Sequence, residues 1–259
     1  MLARPRFGLS SRTAAPAWPS LCAICHGWGD GRLCAACEAR FAPERPRCRR
    51  CALVVAEPVS ICGACLVEPP PYDAALARVD YAFPWDRLIA EFKFHAALDL
   101  APAFARLIAQ AHSRFHAHAG SHAHEDAHAP ATAADLLVPV PLARARLGER
   151  GCNQAWEITR RLTRRLRITA EPSLLLRVRD TPHQVSLPPG ERAGNVRGAF
   201  AIEPRRRAEV RGRSIAVVDD VMTTGSTMAE IARVLKAAGA TRVEAWVLAR
   251  TPPPGAGGA

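Results

Sequence analysis

Apolar side chains recur along residues 72–250 at two periods, and the switching between them predicts a mixed α/β fold. Val79, Tyr81 and Phe83 alternate with Arg78, Asp80 and Ala82, the pattern of a strand. Leu88, Ile89 and Phe92 have helical spacing, as do Phe104, Leu107, Ile108 and Ala111. Asp135–Pro141 reads as a short apolar strand stopped by proline, and Ala155, Ile158, Leu162 and Leu166 form a helical stripe with Asn153 near its start. The β-branched run Ser214–Asp220 suits a buried parallel strand. Met228, Ile231, Val234, Leu235 and Ala238 make the next helix, with Gly239 as its C′ residue, and Val243–Leu248 the next strand. Strand, loop, helix, strand is a βαβ unit, so the expected sheet is parallel and flanked by helices.

Composition divides the chain. Residues 1–20, rich in Arg, Ser, Pro and Ala, read as a flexible leader, residues 21–68 as a cysteine module, residues 69–250 as the α/β domain and residues 251–259 as a flexible tail. Pro69-Pro70-Pro71 marks a stiff boundary between module and domain. Residues 112–134 interrupt the α/β pattern with His112, His116, His118, His122, His124 and His128 among Ala, Gly and Ser. Such a tract suits either metal binding or a low-complexity surface loop. With neither fixed spacing nor carboxylate partners, the loop inserted between a helix and a strand is the simpler expectation.

Eight of the nine cysteines form the pairs Cys22/Cys25, Cys34/Cys37, Cys48/Cys51 and Cys62/Cys65. Residues 1–20 lack the apolar core of a secretory signal, and no run of roughly 18 apolar residues occurs, so a cytoplasmic, reducing setting without a membrane span is expected. Thiols paired as C-x-x-C in that setting read as metal ligands rather than disulfides. Two such turns complete a Cys₄ site, and four fully thiolate pairs imply two structural Zn²⁺ ions. Sequential use of the pairs is the simplest assignment, while a crossed one, the first and third pairs sharing a metal, fits the same spacing. Cys152 stands apart and suits a small buried side chain.

A formal charge of +11 favours anionic partners. Eight thiolates around two divalent ions would remove four of those charges, and much of the Arg is scattered. Arg45, Arg47, Arg49 and Arg50 do cluster in the cysteine module, as a solvated face or a DNA contact.

Val217-Val218-Asp219-Asp220-Val221-Met222-Thr223-Thr224-Gly225-Ser226-Thr227 carries the most specific chemistry. An apolar strand ends on two carboxylates, where open α/β sheets place their ligands. Two acids there can accept hydrogen bonds from vicinal hydroxyls. A hydroxyl-rich turn around Gly225 then opens onto a helix, whose first amides suit a phosphate. Acid pair followed by phosphate nest matches ribose followed by a 5′-phosphate. It lacks the lysine-containing pattern of a triphosphate loop.

This string resembles the phosphoribosyl pyrophosphate signature of type I phosphoribosyltransferases. Further residues narrow the resemblance to the ComF family of phosphoribosyltransferase-like proteins, associated with DNA uptake in competence. They are Phe92-Lys93-Phe94, Val138-Pro139-Val140-Pro141-Leu142, Arg150-Gly151-Cys152-Asn153-Gln154, Thr181-Pro182-His183-Gln184, Ser186-Leu187, Arg192 with Asn195, and Gly198-Ala199-Phe200. The cysteine module is similar to that family's double zinc ribbon. Cys152 stands where the family commonly has an aromatic, and His95-Ala96-Ala97 where it commonly has a glycine.

The resemblance implies a type I phosphoribosyltransferase-like fold that binds phosphoribosyl pyrophosphate or a related sugar phosphate with Mg²⁺. Asp219 and Asp220 would hold the ribose hydroxyls and act at the reacting sugar. Thr223, Thr224, Gly225, Ser226 and Thr227 would hold the 5′-phosphate. Lys93 and Arg150 would face the pyrophosphate, near the end of the Val138–Leu142 strand. Thr181–Gly198 would close over the ligand. The activity implied is phosphoribosyl transfer to an unknown acceptor, such as a nucleobase or similar amine. The competing implication is a non-catalytic ligand sensor that binds single-stranded DNA and competence proteins.

Overall fold

The computed structural model describes residues 19–121, 134–179 and 196–253, with backbone alone over 118–121. The leader through Trp18, the histidines from His122 onward, the segment 180–195 and the tail from Pro254 lie outside the described residues.

The amino end is two small knuckles. The first carries the hairpin β1 (Ser20–Leu21) and β2 (Trp28–Gly29) and the helix α1 (Ala35–Phe41), and the second ends in α2 (Gly63–Val67). The α/β domain follows with β3 (Ala74–Asp80), α3 (Trp85–Phe94), α4 (Ala101–Ser121), β4 (Leu136–Pro139), α5 (Arg144–Arg150) and α6 (Gln154–Leu166). Next come β5 (Thr169–Ala170) and the antiparallel pair β6 (Leu175–Arg177) and β7 (Phe200–Ile202). The carboxyl end is β8 (Ser214–Met222), α7 (Ser226–Ala237) and β9 (Arg242–Arg250).

Five strands form a parallel sheet in the order β3-β9-β8-β4-β5, as the βαβ pattern requires. The pleat sends alternate residues to opposite faces. Leu76, Leu137, Ala216, Val218, Trp246 and Leu248 join α3, α4 and α6 on one face. Ala75, Ala77, Leu136, Val138, Ile215, Val217, Ala245 and Val247 join α7 and the β6–β7 pair on the other. Each fully buried aliphatic side chain stabilises by roughly 1.5–3 kcal/mol relative to exposure. Cys22, Leu33, Cys37 and Ala42 belong to the first of these cores, so the first knuckle shares the domain's apolar interior.

Two elements differ from the sequence expectation. β3 begins at Ala74 and stops at Asp80, so Tyr81 and Phe83 lie in the turn before α3 rather than in a strand. Both faces of Ala74–Val79 are buried, which erases the alternation. Helix α4 runs on to Ser121, so His112 and His116 sit on a helix instead of a loop. Their ring centroids lie 4.4 Å apart with the planes tilted by 57°, and the His112 ring lies 4.6 Å from that of Trp246. Burial in that setting pushes His112 down to about 4, with His116 pushing the same way against the pull of Glu244.

Candidate functional site

Strand β8 carries the acid pair to the carboxyl edge of the sheet. Asp220 is only 4 % exposed, and its Oδ1 lies 2.9 Å from Nζ of Lys93 on α3. Asp219 is half-buried, and its Oδ1 accepts the Asp220 N–H at 2.9 Å. Asp219 and Asp220 are both among the residues that line a cavity of about 460 Å³. Burial pushes the Asp219 carboxyl up, the adjacent Asp220 carboxylate adds to the push, and together they outweigh Lys93 to place it at about 7. Burial pulls Lys93 down, but Asp220 and Asp219 outweigh that pull and hold the ammonium above its usual range.

The turn after β8 has the geometry expected of a close-approach loop. Gly225 adopts φ +83°, the left-handed region that favours glycine. A Cβ there would lie 3.0 Å from Oη of Tyr72. Gly225 offers α7 no side-chain cap. The first amides of a helix have no intrahelical acceptor, and the helix dipole is positive there. Thr223–Thr227 all line the cavity. The Thr224 and Ser226 hydroxyl oxygens are 2.8 Å apart, and Thr224 Oγ1 accepts the Ser226 N–H at 3.3 Å. Two hydroxyls that satisfy each other in this way can turn to an incoming phosphate at little cost.

The opposite wall comes from the end of β4 and the start of α6. Asn153 caps α6 by accepting the Trp156 N–H at 3.3 Å, and its amide donates to Val140 O at 3.0 Å. A cap of this kind contributes about 1 kcal/mol and fixes α6 against the strand end. Arg150 stacks over Phe94 at 5.0 Å and reaches Gln154 Oε1 at 3.4 Å. Arg150 and Lys93 therefore both border the cavity, Lys93 through its ion pair with Asp220. Cys152 is half-buried, and burial pushes its thiol up, which suits a packing role over a reactive one.

Sequence reasoning missed several lining residues. Tyr81, Phe94, Arg146, Gln154 and Arg177 also border the cavity. Phe94 and Gln154 lie inside the segments that carried the resemblance, whereas Arg146 and Arg177 were hidden in a chain where arginine is everywhere. Of Thr181–Gly198, the part before Val196 lies outside the described residues. Gly198 docks on α7, its N–H donating to Glu230 Oε1 at 2.7 Å.

The cysteines gather as Cys22, Cys25, Cys34 and Cys37, and as Cys48, Cys51, Cys62 and Cys65, the ligand atoms of each set lying within 4.8 Å of one another. Pairing is thus sequential, and the crossed arrangement is ruled out. Tetrahedral Zn–S bonds of about 2.3 Å put neighbouring sulfurs about 3.8 Å apart. Cys25 and Cys34 Sγ are 3.8 Å apart, and Cys51 and Cys62 Sγ 3.6 Å, so the quartets fit zinc. Backbone N–H groups of Cys37 and Cys62 donate to Cys34 and Cys48 Sγ, second contacts that hold thiolates in place. Among the described residues these quartets are the groupings able to hold a metal, and His112 and His116 gather no third ligand.

The module's arginines mostly serve docking. Arg45 and Arg47 pair with Asp80 at 3.1 and 2.8 Å, and Arg49 lies 4.9 Å over the Phe115 ring. Arg47 and Arg49 thereby help hold the second knuckle to β3 and α4, while Arg45 stays half-exposed.

Residues 177–254 match a family model described as "Phosphoribosyl transferase domain". The chain is 33% identical over 236 residues to "DNA utilization protein YhgH" of Escherichia coli K12, covering 90% of this chain and 98% of that protein. It is 31% identical over 221 residues to "Competence protein F" of Haemophilus influenzae, covering 84% and 90% respectively. A shorter match, 46% over 52 residues, relates 20% of the chain to 29% of "Adenine phosphoribosyltransferase" of Mycobacteroides abscessus. No helix among the described residues is long and apolar enough to cross a membrane.

Proposed function

The chain belongs to the ComF family of phosphoribosyltransferase-like proteins, and from that premise we propose that it binds phosphoribosyl pyrophosphate with Mg²⁺ on Val217–Thr227. One observation carries the reading: the acid pair at the end of β8 and the left-handed turn at Gly225 border a single cavity. Asp219 and Asp220 accept hydrogen bonds from the ribose hydroxyls. Thr223–Thr227 receive the 5′-phosphate on amides and hydroxyls at the start of α7. The pyrophosphate lies toward Pro141 and Leu142, within reach of Arg150, while Lys93 balances the acids and adds positive potential beneath the departing group. With Mg²⁺ bound beside the ligand, the charge on the diphosphate would be neutralised. In transfer to an acceptor, C1 of the ribose passes through an oxocarbenium-like state as pyrophosphate departs. The zinc quartets are structural, since every position is filled by thiolate.

Asp219 gives a pH test. Burial and the Asp220 carboxylate hold its carboxyl up at about 7, and ionisation converts it from part donor to an acceptor at both oxygens. Affinity for phosphoribosyl pyrophosphate is therefore expected to rise between pH 6 and pH 8, by up to about tenfold per unit below the midpoint. Asp219→Asn should remove the part of that rise that is not the ligand's own titration. Identical pH profiles for the two proteins would refute the role of Asp219. Stability follows the opposite sign. A raised carboxyl pKa gives stability that is complete below the ordinary value of 3.8 and lost as pH climbs through about 7.

A second reading draws on the relatives' names and the +11 charge: the chain is a competence factor that contacts single-stranded DNA and competence proteins. Binding through phosphates weakens steeply with salt. Retention of labelled single-stranded DNA at about 50 mM salt, lost by roughly a hundredfold or more at 200 mM, is the expected gel-shift result. Free migration at the lower salt would end this reading and leave the sugar-phosphate site untouched.

A further inference from the structure

Arg250 closes β9, the strand beside β8, and its side chain turns back under the sugar-phosphate loop. It is 7 % exposed. Its Nε donates to the Cys51 carbonyl at 2.9 Å. The two N–H groups of its Nη1 are shared among three carbonyls, those of Met222 at 3.1 Å, of Thr251 at 2.9 Å and of Thr223. One planar fork thus joins a ligand of the second cysteine quartet to the two residues that begin the loop. A guanidinium has fixed N–H directions, so it serves these acceptors together only while each carbonyl keeps its place.

The Cys51 carbonyl is itself held by the knuckle. Ala52 sits in the left-handed region at φ +58° and donates its N–H to Cys48 O at 2.8 Å. Arg47 Nη1 donates to Ala52 O at 3.0 Å. Cys48 and Cys51, two members of the second quartet, lie within that tight turn. A second strut runs beside Arg250: Tyr72 Oη lies 3.8 Å from Met222 Sδ and borders Gly225. Among the described residues the first quartet has no such path. It packs through Glu38, which accepts from Gln110 at 2.8 Å, and through Cys22 and Cys37 in the core beneath α4.

The geometry points to Arg250 as a positioning residue that couples metal occupancy at Cys48, Cys51, Cys62 and Cys65 to the order of the Met222–Thr227 loop. Metal loss at that quartet frees the Cys51 carbonyl, removes one acceptor from the fork, and loosens the loop that receives the phosphate. Coupling is reciprocal by thermodynamic necessity, so a ligand that orders the loop also tightens the second metal site. Only this last consequence rests on the phosphoribosyl pyrophosphate reading.

Hydrogen exchange read by mass spectrometry on the zinc-loaded full chain tests the link without any ligand. Cys62→Ser, which weakens the second quartet, is expected to raise exchange at the Met222–Thr227 amides on the order of tenfold. Cys34→Ser, which weakens the first, should leave those amides unchanged, and peptides from β4 and α6 report any global opening. In Arg250→Ala the loop should exchange fast already, Cys62→Ser should add nothing, and Arg250→Lys should restore part of the protection. Should Cys62→Ser fail to fold, Arg250→Ala alone remains decisive through alkylation. Cys48, Cys51, Cys62 and Cys65 should then react several-fold faster during chelation, with Cys22, Cys25, Cys34 and Cys37 unaffected. Loop exchange indifferent to Cys62→Ser, additive effects of the two changes, or equal alkylation of both quartets in Arg250→Ala would each overturn the coupling. Failure of phosphoribosyl pyrophosphate to bind would instead sink the site reading and leave the exchange result standing.

Discussion

Chelating the metal from the purified protein is expected to unfold residues 21–68 and to destabilise the rest of the chain with them. So short a segment has too little core of its own, and a structural Zn²⁺ supplies on the order of 10 kcal/mol of folding free energy. Crowded thiols without a cation do not ionise together. The hydrogen bond from Cys51 draws Cys48 down to about 4 against the effect of burial, while burial drives Cys65 up to about 12. The damage spreads because Cys22, Leu33, Cys37 and Ala42 are part of the core beneath α3 and α4. Each kcal/mol passed to the domain lowers Tm by about 2–4 °C in a chain of this size. A fall of at least about 10 °C, with two zinc ions released per chain, is the expected outcome by calorimetry and atomic absorption. Cys152→Ser, outside both quartets, should match the wild type. A Tm that survives complete chelation, or a stoichiometry of one, would refute the assignment.

Gly225→Val is expected to weaken ligand binding about a hundredfold while costing about 2 kcal/mol of stability. A β-branched residue at φ +83° carries backbone strain of order 1–3 kcal/mol. Its Cβ would also meet the Tyr72 hydroxyl at 3.0 Å, so either the tyrosine or the turn must move. Because the turn is what places the first amides of α7 at the cavity, a shift of about 1 Å can cost a hundredfold. Gly212→Ala provides the comparison. It too is left-handed, at φ +74°, but a Cβ there meets nothing within 4 Å. Both variants should lose stability in denaturant titrations, and only the change at Gly225 should lose affinity. Wild-type affinity in Gly225→Val would remove the loop from the site.

Local signals carried most of the fold into the sequence, and the failures have physical causes. The β8–α7–β9 unit was legible because β-branched residues, a turn glycine and a helical stripe agree over Ser214–Leu248. β3 was displaced by several residues because small, doubly buried alanines carry no alternation, while Val79, Tyr81 and Phe83 imitate one. The short α5 and the three-residue strands β6 and β7 are too brief for any period to register.

In the site, the acid pair and the turn could be read because strand end and helix start lie side by side in the chain. Zinc pairing could not be read from spacing, since it depends on how the knuckles close. Tyr72 and Arg250 were invisible for the same reason: their partners Met222 and Cys51 lie 150 and 199 positions away. Arg45 and Arg47 show the same limit. A run of basic residues reads as a solvated face or a DNA contact, and only the fold brings Asp80 to it.

Isothermal titration of the zinc-loaded protein with phosphoribosyl pyrophosphate and Mg²⁺, beside the double variant Asp219→Asn, Asp220→Asn, tests the central claim most directly. The expected result is one ligand per wild-type chain and an affinity lowered at least about a hundredfold in the variant. That loss corresponds to charge-assisted hydrogen bonds of about 1.5–3 kcal/mol each. Circular dichroism should confirm that the variant keeps its fold. No binding heat from the folded wild type, or a folded variant that binds as tightly as the wild type, would contradict the account.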